Sequence, residues 1–363
     1  MHLEVSRLFT GGAIVKLVIR QPVAYQVIQR EVFDSAQAPV HDGHAVMGRG
    51  SFCITLESAV AAGAQLQYRV VQLQDAFGTA VDWSPLKLDL DPCKALADVP
   101  TGGWYRLDIR ALVNGQVGAL AAVEPVGVGE IFLIAGQSYA DNCNDEQLRV
   151  GDPHGRVVAY DSAAGSWRIA HDPQPTPSPY RDGGIWPVVG DALLAAVRAP
   201  IGFVNVAVGG TASSAWLPGQ KNYLNLVRAG KAVGSFRYVL WQQGESDVIE
   251  NVPTETYIRN LIAIREASAK DWGFEPRWLL AKSTLHPTVY NNPSGEQSIR
   301  EAIDRLWTME GFAPGPDTDM LGGDNRGDAG SKRHFSPQGQ RAAGRMWAAC
   351  IWKACKQYDQ TGP

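Results

Sequence analysis

No apolar run among the 363 residues approaches the roughly 20 needed to cross a bilayer. The N-terminus also lacks a basic stretch followed by a hydrophobic one. The expectation is a soluble chain whose compartment is open, secretion or a periplasmic location being compatible with a leader already removed. Cysteine is scarce: five occur, none in CxxC spacing, which argues against a zinc ribbon or a thioredoxin-like site. Cys350 and Cys355, five apart on an expected helix, lie about 140° apart around its axis and do not face each other. A pairing of Cys53 with Cys93 stays open, and five small buried thiols are the plainer expectation. Neither sign of charge dominates, with 33 Lys and Arg against 37 Asp and Glu and a net charge of −4. That balance gives no electrostatic reason to expect nucleic acid or an anionic membrane as partner. No Gly-rich phosphate loop joins a strand to a helix. His41-Asp42-Gly43-His44 has the spacing of metal ligands but no third ligand, so it reads as a polar loop, and no metal or cofactor is assigned.

What is present is a stretch around which the chain is organised. Ile131, Phe132, Leu133 and Ile134 form a short continuous apolar run, as a central strand covered on both faces would. Ala135 and Gly136 allow a tight turn, and Ser138 follows just past the strand's end. Ligands of open α/β sheets bind beyond that end, which makes Ser138 a candidate nucleophile. A lone serine in a turn is more often a helix cap, and the case for chemistry rests on two later stretches. Residues 241–247, WQQGESD, follow another apolar strand, and His334-Phe335-Ser336 precede the last helix.

Up to about residue 124 the signals are strands and turns. Phe52, Ile54 and Leu56 alternate, as do Tyr68, Val70 and Gln72 with their neighbours, and Asn114-Gly115 supplies a tight hairpin turn. The expectation is an N-terminal all-β sandwich of six to eight strands, Ig-like or jelly-roll-like, over residues 1–125. Residues 125–129, PVGVG, read as a hinge that opens a second domain over 126–363. Residues 141–184 read as a long polar loop, a lid or binding segment carrying Tyr160, Trp167 and Tyr180. Residues 186–198 read as a helix, 201–208 as a β-branched strand and 277–281 as another strand. Tyr257, Leu261 and Ile264 make one helical face; Ile299, Ile303 and Leu306 make another. Ser336 caps the final helix, with Pro337 in its first turn. Strand then helix, repeated, means a parallel sheet with helices on both faces.

Four short blocks stand in order: Gly136-Gln137-Ser138, Gly209-Gly210-Thr211, Gln243-Gly244-Glu245 and His334-Phe335. Together they resemble the sialate O-acetylesterase-like branch of the SGNH hydrolases, over about two thirds of the chain. The resemblance implies an SGNH-type (flavodoxin-like) three-layer α/β/α fold for 126–363. It also implies a serine esterase that removes short acyl groups, acetyl foremost, from a carbohydrate through an acyl-enzyme, without cofactor or metal.

Acyl transfer needs a nucleophile, a base, a group that orients the base, and donors for the oxyanion. Ser138 is the nucleophile and His334 the base, His286 being the competing histidine. The family carries Asp three residues before the His, but here that position is Ser331. Asp328, six before, is assigned the orienting role; Glu245 is the alternative, and a dyad held by a backbone carbonyl is a third reading. The oxyanion donors are the amides of Ser138 and of Gly209 or Gly210, and the side chain of Gln243. Trp216, Asn142 and Glu245 are candidate substrate contacts. Position 140 is Ala, so the GxSxG elbow of α/β-hydrolases is missing, and a glycosidase pair of Glu245 and Asp247 is the weaker reading. Two other functions stay open: a carbohydrate-binding protein that has lost turnover, and a sugar O-acyltransferase.

Overall fold

The computed structural model describes residues 17–31, 48–57, 64–88, 94–285, 291–327 and 332–361. They form two compact units. One holds the described residues up to Glu130 with Arg198–Pro200; the other holds Ile131–Val197 and Ile201–Thr361. His41, His44, Cys93, His286 and Asp328 lie outside the described residues.

The first unit is built from strands β1 (Ile19–Gln21), β2 (Gln26–Gln29), β3 (Arg49–Leu56), β4 (Gln65–Phe77), β5 (Val81–Pro85), β6 (Lys87–Leu88), β7 (Lys94–Pro100), β8 (Gly102–Val113) and the start of β9 (Gln116–Gly136). One sheet runs β1-β3-β7-β6; in the other, β4 pairs β5 and β8, and β9 pairs β8 and β2. Strict alternation on β3 turns Phe52, Ile54 and Leu56 inward, where they share one core with Tyr105, Leu107, Ile109 and Val123 of the other sheet. Burying each such side chain contributes about 1.5–3 kcal/mol. Between β8 and β9, Asn114 and Gly115 both have positive φ (51° and 78°), and Val113 pairs directly with Gln116. This is the two-residue turn that the Asn-Gly pair favours. Two expectations are corrected. Cys53 is exposed, because it occupies an outward position on β3. The stretch 125–129 is not a hinge but continuous strand, with Val126–Gly129 paired to Gln26–Gln29. Its glycines serve close approach rather than bending: a Cβ on Gly129 would stand 1.9 Å from the Pro200 carbonyl oxygen.

The second unit begins with the last residues of β9. It continues through β10 (Val157–Asp161), β11 (Ser166–Ile169), α1 (Trp186–Val197), β12 (Ile201–Asn205), α2 (Lys221–Val233), β13 (Tyr238–Gln242), α3 (Glu245–Ile249), α4 (Thr254–Trp272), β14 (Arg277–Lys282), α5 (Pro293–Leu306), β15 (Phe312–Asp317) and α6 (Pro337–Thr361). The strand order is β11-β10-β12-β9-β13-β14-β15. The β10–β12, β9–β13, β13–β14 and β14–β15 pairs are parallel, and β11 closes one edge as an antiparallel hairpin with β10. Helices cover both faces, as two neighbours on β13 make plain. Trp241 Nε1 donates to the Tyr257 hydroxyl of α4 (3.2 Å), while Gln242 Oε1, pointing the other way, accepts from Trp347 Nε1 of α6 (2.9 Å). The helical faces read from the sequence are the buried ones: Tyr257, Leu261 and Ile264 on α4, and Ile299, Ile303 and Leu306 on α5. Ser336 Oγ accepts from Gly339 N–H (3.2 Å) and so caps α6. The segment 141–184 differs from its expectation as one long loop, because it contains the β10–β11 hairpin. Trp167 anchors that hairpin from a buried position, its ring 5.3 Å from that of Tyr160.

Candidate active site

The chain lays strands on both sides of β9, with β12 and β10 to one side and β13, β14 and β15 to the other. In open α/β sheets a ligand crevice opens at such a reversal, beyond the carboxyl ends of the strands. Ser138 stands two residues past the end of β9. Gly136 ends that strand with φ +133°, and a Cβ there would lie 2.1 Å from the Gln242 carbonyl oxygen, so only glycine fits. Gln137 N–H donates to the same carbonyl (3.0 Å), and the amides of Ala140 (2.9 Å) and Asp141 (3.1 Å) close a turn on Gln137 O. Ala140 O in turn accepts from Trp186 Nε1 (2.8 Å) and Asn205 Nδ2 (2.9 Å). The turn is thus fixed from several sides. Within it Ser138 is 3% exposed, and its Oγ makes no hydrogen bond among the described residues.

The loop before α6 packs onto this turn. The Tyr139 ring meets the His334 imidazole edge-on at 5.3 Å and lies 4.6 Å from the Phe335 ring. Phe335 N–H donates to Asn144 Oδ1 (3.1 Å), and Asp145 N–H donates to Phe335 O (3.2 Å). Residues separated by nearly 200 positions, Ser138 and His334, therefore sit on turns that share Tyr139 as packing partner. Tyr139 is buried, and burial pushes its phenol well above the usual range.

The Gln243 side chain is wholly buried and committed within the protein. Its Nε2 lies 3.2 Å from Gln137 Oε1 and 3.1 Å from Thr211 O and also bonds Asp247 Oδ2, while its Oε1 accepts from the Tyr257 hydroxyl (3.0 Å). In this arrangement Gln243 ties the Ser138, Thr211 and Asp247 segments together. Gly209 N–H donates to Asp141 Oδ2 (3.2 Å). The amides of Ser138 and Gly210 donate to no group among the described residues, and these remain available to an oxyanion. Gly210 holds φ +72°, and a Cβ there would meet nothing within 4 Å, so glycine is set here by backbone conformation and not by crowding.

Glu245 opens α3, is 1% exposed, and its carboxyl oxygens have no partner from any other residue among the described residues. Burial pushes its carboxyl up to about 8; its own amide, Arg326 and Arg333 pull it back, and Asp319 pushes it further up. At neutral pH it therefore carries its proton, and a neutral acid lacks the charge that would steady an imidazolium. Asn142 and Trp216 are both fully buried. Asn142 Oδ1 accepts from Gln174 N–H (2.7 Å) and its Nδ2 donates to Gln174 O (2.8 Å); Trp216 Nε1 donates to Thr211 Oγ1 (3.1 Å).

Asp141 and Arg326, not singled out from the sequence, build the site's frame together with Asp247, which the sequence offers only as half of a glycosidase pair. Asp141 accepts from Asn142 N–H, Thr176 Oγ1 and Gly209 N–H, and Asp247 accepts from the Ser213 amide (2.8 Å) and hydroxyl (2.5 Å). Burial raises both carboxyls. Arg326 completes the frame through the Tyr139 hydroxyl. A buried-turn Asp three residues after Ser138 is a signal, but two of its partners are 35 and 68 positions away. Tyr180, 45% exposed, lies against the Gly209 turn, where a Cβ on Gly209 would come within 2.6 Å of its ring.

A family model described as carbohydrate esterase, sialic acid-specific acetylesterase, matches residues 128–353. A probable carbohydrate esterase of Arabidopsis thaliana is 30% identical over 162 residues, a match covering 38% of this chain and 62% of that protein. The chain thus spans less than two thirds of that relative's length. Among solved structures it is similar to a carbohydrate acetylesterase from Xanthomonas citri, with 14% identity and a TM-score of 0.55 over 95% of this chain and 76% of that one. A protein from Arabidopsis thaliana gives 20% identity and a TM-score of 0.49 over 62% of this chain and 98% of that one. With more than half of its length matched by the family model, the chain belongs to the carbohydrate esterase family of sialic acid-specific acetylesterases.

Proposed function

We propose that the chain is a serine esterase that removes O-acetyl or other short acyl groups from a carbohydrate through an acyl-enzyme on Ser138. The observation that carries this reading is a buried Ser138 hydroxyl, without a hydrogen-bond partner among the described residues, at the carboxyl end of the central strand, on a turn packed against the loop of His334. His334 takes the Ser138 proton as Oγ attacks the ester carbonyl carbon. The tetrahedral oxyanion is met by the amides of Ser138 and Gly210. The C–O bond to the sugar breaks, and His334 returns the proton to the departing alkoxide. Water, deprotonated by His334, then attacks the acyl-Ser138 ester, releases the acid and restores the hydroxyl. Asp328 is the orienting acid in this scheme, because Glu245 is held neutral. The scheme calls for no metal. Tyr180, with its open ring beside Gly209, is a stacking platform for a sugar. Residues 126–363 form the catalytic SGNH-type domain, and residues 1–125 a β-sandwich that is structural or extends the sugar platform.

The test is acetate release from a panel of O-acetylated sugars, including an O-acetylated sialic acid and acetylated xylo-oligosaccharides, followed by proton NMR. The expected result is one acetate per ester lost from at least one substrate. Sugar binding without acetate release would instead favour a binding protein, and acetyl transfer that requires an added sugar acceptor would favour a transferase.

A further inference from the structure

Arg326 is 6% exposed and carries a guanidinium with no carboxylate partner among the described residues. All its bonds go to neutral oxygens. Nε donates to Leu321 O (2.5 Å) and Nη2 to Thr318 O (3.1 Å), while Nη1 donates both to the Tyr139 hydroxyl and to Arg333 O (3.1 Å). The Tyr139 hydroxyl in turn donates to Arg333 O. The guanidinium also lies over the Tyr139 and Phe335 rings, at 5.0 and 4.9 Å from their centroids. A single nitrogen thus bridges the residue that follows Ser138 and the residue that precedes His334. Around it, Arg326 pairs with Phe335 as an antiparallel bridge, and Gly327 N–H donates to His334 O (2.9 Å).

Burying a guanidinium without an ion pair is costly, and such groups persist where the geometry they impose is needed. Stability alone would be served as well by an apolar side chain under the loop. We propose that Arg326, acting through Tyr139, is a positioning residue that sets the spacing between the Ser138 hydroxyl and the His334 imidazole. The inference rests on the esterase reading above. Arg is suited to the task where Lys is not: its planar fork reaches three carbonyls and a phenol at fixed angles while its face stacks on two rings.

The test compares Arg326→Lys, Arg326→Ala and Tyr139→Phe with the parent protein on p-nitrophenyl acetate, with Ser138→Ala as the inactive reference. A misplacement near 1 Å costs about 100-fold in comparable sites. Arg326→Lys is expected to lose about 10- to 100-fold in kcat with KM within about threefold, and its rate of labelling by a fluorophosphonate should fall by the same factor. Methylguanidine added to Arg326→Ala should restore part of kcat. Tyr139→Phe, which keeps the ring and removes only the bridging hydroxyl, should lose several-fold in kcat while remaining folded. It decides the matter if the Arg326 variants do not fold. Parental kcat per folded molecule in both Arg326→Lys and Tyr139→Phe, or in Tyr139→Phe alone where the others unfold, would overturn the positioning role. Parental activity in Ser138→Ala would instead overturn the esterase reading on which it rests.

Discussion

Ser138→Ala should lower kcat/KM on p-nitrophenyl acetate by at least about 1000-fold under the acyl-enzyme proposal, because removing a serine nucleophile leaves only binding and the oxyanion donors. The same substitution should make the protein more stable. The Ser138 hydroxyl is buried and has no hydrogen-bond partner among the described residues. A buried hydroxyl left unpaired costs about 1–3 kcal/mol relative to one that is solvated or bonded. Alanine removes that cost and leaves only a small void, so thermal unfolding should move up by a few degrees as activity is lost. A variant less stable than the parent would mean that the hydroxyl is bonded in solution, for instance to water. Gain in stability with loss of activity is the pattern expected where a functional group is kept in an unfavourable setting.

The second large effect concerns Glu245. In the folded chain its carboxyl is pushed up to about 8 from an ordinary value of 4.5, chiefly by burial. A carboxyl raised on folding keeps its proton between those values, while the unfolded chain has already released it. Its contribution to stability is therefore unchanged below about pH 4.5, falls steadily as pH rises, and reaches its full loss above about pH 8. At about 1.4 kcal/mol per pKa unit, the span from 4.5 to about 8 amounts to roughly 5 kcal/mol. Glu245→Gln, neutral at every pH, removes this dependence. The variant and parent should unfold at similar denaturant concentrations near pH 4.5, and the variant should gain several kcal/mol by pH 8.5. Asp172, Asp141 and Asp247 are raised by burial too, so some decline with pH will persist in both proteins. Parallel stability curves for parent and variant from pH 4.5 to 8.5 would contradict the account of a neutral buried acid.

Much of the fold is legible because its signals are local. Tyr257, Leu261 and Ile264 recur at helical spacing, Ser336 and Pro337 punctuate a helix start, and Asn114-Gly115 fits one kind of turn. What escaped depends on partners far along the chain. Residues 125–129 look like a hinge by composition, and only the approach of Pro200 explains why glycine stands in a strand there. The hairpin of β10 and β11 hides inside a polar segment because both strands are short and one is an edge. Gln243 reads from the sequence as a side-chain oxyanion donor. Its commitment to Gln137, 106 positions away, and to Tyr257 is invisible without the fold. Ser138 and His334 were legible as types at the ends of elements, and the frame that brings their turns together, Tyr139 and Arg326, was not.

That Ser138 is the nucleophile is tested most directly by covalent trapping. The protein is incubated with a fluorophosphonate, digested, and mapped by mass spectrometry, with His334→Ala in parallel. The account predicts one adduct per chain, carried by the peptide containing Ser138 and formed far more slowly in the His334 variant. An adduct on another residue, or none on Ser138 in a protein that still releases acetate, would contradict it.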